Sequence, residues 1–237
     1  MNIYYERFYQ YRLAMEKELY LFIIWANARF MAKNLIGDIK KKFELFQAYE
    51  ISWSKDAFES NLARFYGKKL PKGVKKAKEV GNGPFLALLV YDKNCQFSNG
   101  KNIAVSTAKA AYRQMLGKNL IHASDNMEET NENLLLLLGK SIKEIEKEGA
   151  FFIPKQWQHD LVGMPTWNSL EEALSTVRKL PFTKVTPYKD TFFIHSRYAD
   201  TVRRVLNASE HFRLPGRHKY FIHIGKNSQP IYIRKVS

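Results

Sequence analysis

The stretch GKNLIHASDNMEETNENLLLLLG, Gly117–Gly139, sets His122 between a short apolar run and an acid-rich helical segment. An imidazole presented at a strand end is a nucleophile near neutral pH and needs no strong base to activate it. The same ring packed beside a turn is a structural residue. Its surroundings decide between the two readings. The other histidines, His159, His195, His211, His218 and His223, are dispersed through the second half of the chain. His195 and His223 fall within predicted strands, where a hydrogen-bonded structural role is expected.

Composition narrows the chemistry. The chain has 237 residues, 45% of them hydrophobic, which suits one large domain or two small ones. Cys95 is its single cysteine, so no internal disulfide forms, and a reducing, cytoplasmic setting is expected. One cysteine with scattered histidines makes no zinc-type ligand set. No apolar run reaches the length of a membrane span. The opening MNIYYERFYQYRLAMEKELY lacks the pattern of a signal peptide. The net charge of +15 attracts polyanions. Six lysines between Lys68 and Lys78, with Pro and Gly among them, read as a solvated basic loop.

Around His122 the chain alternates strand and helix. LYLFIIW (Leu19–Trp25) is a strand buried on both faces. Ile36, Ile39, Phe43 and Phe46 follow at helical spacing, with Asn34 as N-cap. AYEISWS reads as a strand, and a helix is expected from near Ser54 to Gly67. PFLALLVYD is a second buried strand. VSTAKAAYRQMLG is a helix capped by Ser or Thr and closed by Gly117. NLIHAS is a fourth strand, and Asp125 and Glu128 have the spacing of a capping box for the last helix. This order predicts an α/β (α+β) fold: a ferredoxin-like four-stranded antiparallel sheet with packed helices.

With the elements in place, a resemblance emerges. LFIIWANARFMAKNLIGDIKKKFE, GNGPFLALLVYDKN, YRQMLG and NLIHASDN resemble, in order, four segments of the nucleoside diphosphate kinase family. The last is similar to that family's Asn-x-x-His-Gly-Ser-Asp-Ser signature. The resemblance implies that His122 carries a phosphoryl group between nucleotides. It implies that Arg113 binds phosphate, that Asn119 contacts ribose and phosphate, and that Ser124 orients the histidine. Mg²⁺ would arrive with bound ATP or GTP.

The departures are specific. Trp25 or Asn27 occupies the family's lysine position in WANAR. The loop before the histidine strand is reduced to Lys118, and Asn133 replaces the acid that braces the histidine. Losing one preorganised donor to transition-state charge costs ~10²–10³ in rate. In the family that loop also helps build a hexamer, so a monomer or dimer is expected here.

The expected organisation is an N-terminal helical extension at 1–16, the kinase-like domain at 17–140, a helical connector at 141–156 and a small basic α/β domain at 157–237. In the last part, Ser169 caps a helix, DTFFIHS is a strand, YADTVRRVLNASEHF is a helix, and KYFIHIGKNSQPIYIRKV is a basic hairpin. This part is faintly similar to nucleotidyltransferase-like domains of bacterial surface-polysaccharide clusters. Those hold metal on paired aspartates, whereas Asp190 is followed two residues on by Phe192. Two function classes follow. One is a phosphotransferase using His122. The other is a catalytically inactive protein that binds nucleotide, a phosphorylated small molecule or a polyanion, with nucleic acid as a further partner through the basic surface.

Overall fold

The computed structural model describes residues 17–67, 74–214 and 217–236. The expected N-terminal extension at 1–16 lies outside them, as do Lys68, Lys69 and Lys72. In chain order come β1 (Glu18–Ile24), a 3-10 turn (Ala26–Met31), α1 (Ala32–Lys42) and β2 (Glu44–Ile51). Next are α2 (Phe58–Tyr66), α3 (Val74–Val80), β3 (Phe85–Asp92), β4 (Phe97–Ser98) and β5 (Lys101–Asn102). Then follow α4 (Ile103–Leu116), β6 (Ile121–Ala123), α5 (Met127–Leu138), α6 (Ile142–Lys147) and β7 (Phe151–Trp157). The last are α7 (Leu170–Arg178), β8 (Thr183–Tyr188), β9 (Thr191–Ser196), α8 (Ala199–Val205), β10 (Ser209–Leu214), β11 (Arg217–Ile224) and β12 (Asn227–Lys235).

The chain divides into two compact units, each made of separate segments. Of the described residues, the first takes those up to Ile51, Pro84–Thr130 and Gly149–Trp157, and the second takes the rest.

In the first unit the sheet order is β6-β1-β3-β2-β7. The first four strands are antiparallel neighbours, which is the ferredoxin-like arrangement. Both central strands are buried at every position, as strands covered on both faces must be, and their only charged residues, Glu18 and Asp92, stand at strand ends. Tyr20, Phe22 and Ile24 of β1 and Leu86, Leu88 and Val90 of β3 share a core with Leu35 and Ile39 of α1 and with Val105, Ala108 and Tyr112 of α4. Helix α1 stops at Lys42 because Phe43 is already extended, with φ −134°. Phe43 and Phe46 therefore leave the expected helical face. Asn34 lies inside α1, whose N-cap is Met31 without a side-chain hydrogen bond. The segment 141–156, expected as a helical connector, holds α6 and then β7, which pairs in parallel with β2 as a fifth strand. Pro154 fits there because an end strand has an unpaired side on which no N–H is needed.

The second unit carries a sheet of order β10-β11-β12-β9-β8. Only β12 and β9 pair in parallel; the other neighbours are antiparallel. Helices α7 and α8 pack on it, bringing Leu174, Val177, Val202 and Val205 into a core with Ile194, Ile222, Ile231 and Ile233. Ser169 caps α7 as expected, its side chain accepting from the Glu172 N–H at 3.1 Å. The expected helix over 198–212 ends at Val205 instead. Asn207 takes a left-handed φ of 54°, and the chain continues as β10. Helix α2 begins at Phe58 rather than near Ser54, because the Asp160 carboxylate binds the Ser54 N–H and Oγ at 2.9 and 2.7 Å. Lys75, Lys76 and Lys78, expected in a loop, stand on α3.

Candidate functional site

The site is built where α4 hands the chain to β6. Asn102 starts α4, accepting from the Val105 N–H at 3.0 Å while its amide donates to the Asp92 carboxylate at 2.7 Å. Gly117 ends the helix in the left-handed conformation, φ 64° and ψ 8°, which glycine adopts at little cost. Lys118 and Asn119 form the exposed turn that follows, and β6 then pairs with β1, His122 opposite Ile23.

Strand β6 lies at one end of its sheet. The Trp25 N–H donates to the Leu120 carbonyl and the Ser124 N–H to the Leu21 carbonyl, so Leu120 and Ser124 bond toward β1. By alternation the carbonyls of Ile121 and Ala123 face away from it. Two cations one turn apart on α4 satisfy them. Arg113 donates its Nε–H to Ile121 O at 3.0 Å, and Lys109 donates to Ala123 O at 2.9 Å. Lys109 also pairs with the Asp125 carboxylate, which Lys101 approaches at 3.0 Å. Burial works against the charge on Asp125, but the hydrogen bonds from Lys109 and Lys101 outweigh it and hold the carboxyl below its ordinary range.

His122 itself is 6% exposed. Its neighbours Ile121 and Ala123 join the core shared with α1 and α4, so strand alternation turns the imidazole to the opposite face of the sheet. Ser124 is fully buried. Its Oγ accepts from the Leu21 N–H at 3.0 Å and shares a hydrogen bond with Thr130 Oγ1 at 2.7 Å. These contacts tie the end of β6 to β1 and to the start of α5.

Helix α5 is capped one residue later than expected. Asn126 Oδ1 accepts from the Glu129 N–H at 2.9 Å, and the Glu129 carboxylate accepts from the Asp125 N–H at 2.7 Å. Asp125 is left to the lysines.

The structure thus brings Arg113 to the backbone next to His122, leaves Asn119 exposed in the turn and ties Ser124 to Leu21 and Thr130. Sequence reasoning missed Lys109 and read Asp125 as a helix cap rather than as the partner of Lys109 and Lys101. The i, i+4 spacing of Lys109 and Arg113 was the available signal, since it puts both cations on one helix face. Cys95 is not a nucleophile at neutral pH: burial and then the nearby Asp92 carboxylate push its thiol up to about 11. Among the described residues no group of three His, Cys, Asp or Glu side chains is placed to hold a metal ion, and no helix is long and apolar enough to cross a membrane.

Comparison with known proteins gives likenesses of backbone only. A nucleoside diphosphate kinase from Aquifex aeolicus matches 54% of this chain and 98% of its own, at 16% identity and a TM-score of 0.37. The Borrelia burgdorferi nucleoside-diphosphate kinase, solved as a transition-state mimic with vanadate and ADP, matches 49% of this chain and 84% of its own, at 16% identity and a TM-score of 0.32. At these values nothing about this chain's chemistry follows. No family model matches the chain, and a search of curated proteins gives no match.

Proposed function

We propose that the first unit binds a nucleotide or another phosphorylated ligand, with Arg113 as its phosphate-binding side chain. One observation carries this reading. The Nε–H of Arg113 is spent on Ile121 O, which orients the guanidinium, while its two terminal nitrogens have no partner among the described residues. An oriented fork of donors matches two phosphate oxygens better than a mobile ammonium does. Exposed Lys118 and Asn119 stand in the adjoining turn and would supply further charge and a polar contact. With no carboxylate cluster placed to hold it among the described residues, Mg²⁺ would enter on the ligand's own phosphates.

A second reading adds chemistry at His122, which directly follows the residue whose carbonyl orients Arg113. An imidazole nitrogen would attack the γ-phosphorus of ATP or GTP. The bond from phosphorus to the bridging oxygen would break, and the nucleoside diphosphate would leave with its electron pair. An acceptor oxygen would later take the phosphoryl group from nitrogen.

Thermal unfolding with and without ATP–Mg²⁺ or GTP–Mg²⁺ tests binding, because a ligand at 100 times its Kd stabilises by about 2.7 kcal/mol. A rise in Tm that Arg113→Ala abolishes is expected, and no rise with either nucleotide overturns the proposal. Incubation with γ-labelled nucleotide separates the two readings. Acid-labile, base-stable label lost in His122→Ala establishes transfer, and stabilisation without label leaves binding alone.

A further inference from the structure

The sheet of the second unit buries one face and leaves the other open enough to read row by row. Ile194, Ser196, Ile231, Ile233 and Ile222 line the buried face. On the opposite face, strand register aligns Lys184 of β8 with His195 of β9 and Arg234 of β12. The next row aligns Phe193 with Tyr232 and then Lys219 of β11. The third contains Tyr188 at one side and Phe221, opposite Pro230, at the other. Successive rows lie about 7 Å apart, two residues of strand rise. Tyr188 is 40% exposed, Lys184 and Arg234 are exposed, and Phe193, Tyr232 and Phe221 are partly so.

The rings form a continuous group. Phe193 and Tyr232 stack at 5.0 Å and 23°, Tyr188 meets the edge of Phe193 at 4.7 Å, and His195 stacks on Phe193 at 5.9 Å. Lys219 lies over the Phe221 ring at 5.4 Å. Among the described residues no acidic side chain stands in these rows.

The geometry points to this face as a platform for single-stranded nucleic acid, unpaired bases stacking on Tyr188, Phe193 and Tyr232 while Lys184, Arg234 and Lys219 meet the phosphates. Partly exposed rings, with Tyr188 turned at 71° to Phe193 and 88° to Tyr232, offer π-faces that a duplex, with its bases already stacked, cannot use. Cations set among the rings are costly to bury against a protein surface, where Lys is depleted, but they pair directly with a polyanion. The surplus of positive charge, +15 over the chain, supplies the long-range attraction. The inference is independent of nucleotide binding by the first unit.

Fluorescence anisotropy with labelled 15-mers of oligo-dT and oligo-rU, and with a mixed-sequence duplex, tests it on the full chain. Single strands bind more tightly than the duplex. Tyr232→Ala weakens single-strand binding about fivefold to a hundredfold, whereas Tyr232→Phe, which keeps the stack, retains it. Lys184→Gln and Arg234→Gln each flatten the slope of log affinity against log salt by about 0.7. Oligonucleotide affinity is measured without added nucleotide, so failure here is distinguishable from failure of the nucleotide site. Equal affinity for duplex and single strand, indifference to Tyr232→Ala, or no binding of either 15-mer overturns the proposal.

Discussion

Arg113 reaches from α4 to the carbonyl oxygen of Ile121 at 3.0 Å, capping a backbone acceptor that the end strand β6 turns away from its sheet. Lys109, one turn earlier, does the same for Ala123 at 2.9 Å. Unpaired acceptors on an end strand are a template for unwanted pairing, and two cations from one helix close them off. His122 is the residue between those two capped carbonyls. The same contacts that protect the edge therefore orient the Arg113 guanidinium against the backbone of β6.

Asp125 should give the first unit an acid-sensitive component. Its folded carboxyl titrates below the unfolded value of about 3.9, so its stabilisation is complete above that value and disappears as pH falls through the folded one. Asp125→Asn, which removes the charge that Lys109 and Lys101 pair with, is expected to cost about 1–2 kcal/mol at pH 7. That gap should close as pH drops below about 4. Urea unfolding at pH 7 and pH 3 measures both gaps, and an undiminished gap at pH 3 would show that the charge is not the cause.

Arg64 holds the end of another helix. Its side chain on α2 donates from Nε to Arg204 O and from Nη2 to Val205 O, both at 2.5 Å, the last-turn carbonyls of α8. Burial, with Arg204 nearby, lowers its pKa to about 9, which still leaves it charged at neutral pH. A cation at a helix C-terminus is favourably placed. Arg64→Ala should cost about 3 kcal/mol by stranding two buried acceptors, and Arg64→Lys should recover only part of that, since one ammonium replaces a two-pronged donor. Denaturant midpoints of the two variants decide the point; a loss below about 1 kcal/mol for Arg64→Ala would refute it.

Gly163 has no room for a side chain. Its φ is 69°, and a Cβ there would lie 2.5 Å from the Trp167 ring, which is buried and donates its Nε1–H to Leu206 O at 2.8 Å. Left-handed strain and a displaced indole together make Gly163→Ala destabilising by about 2–4 kcal/mol. Tryptophan fluorescence during unfolding reports the loss directly, and a wild-type midpoint would contradict this account.

Some of this was legible in the sequence. The apolar runs at Leu19–Trp25 and Phe85–Asp92 are buried on both faces, and such strands show themselves by composition alone. Gly117 and Ser169 marked helix ends because their roles depend on local backbone geometry. Strand β7 was hidden because it lies at the sheet's end, with five consecutive exposed residues and a proline, so it has no alternation to read. Phe43 and Phe46 continued a helical period by coincidence after the backbone had become extended. Asp125 and Asn126 competed for one cap, and the lysines of a distant segment and of α4 settled it by taking the carboxylate. Tertiary pairing of that kind leaves no mark in a local pattern. At the candidate site, His122 could be placed on a strand, but not on a face of the sheet. Ser124, read as a partner for His122, bonds to the Leu21 N–H and to Thr130 through its Oγ.

The most direct test of the central claim is equilibrium dialysis of labelled ATP–Mg²⁺ against the wild type, Arg113→Ala and Arg113→Lys, with circular dichroism confirming that each is folded. The account predicts saturable binding by the wild type, none detectable for Arg113→Ala and a loss of about tenfold for Arg113→Lys, which keeps the charge but not the tethered fork. Binding that is unchanged in a folded Arg113→Ala protein would place the phosphates elsewhere and contradict it.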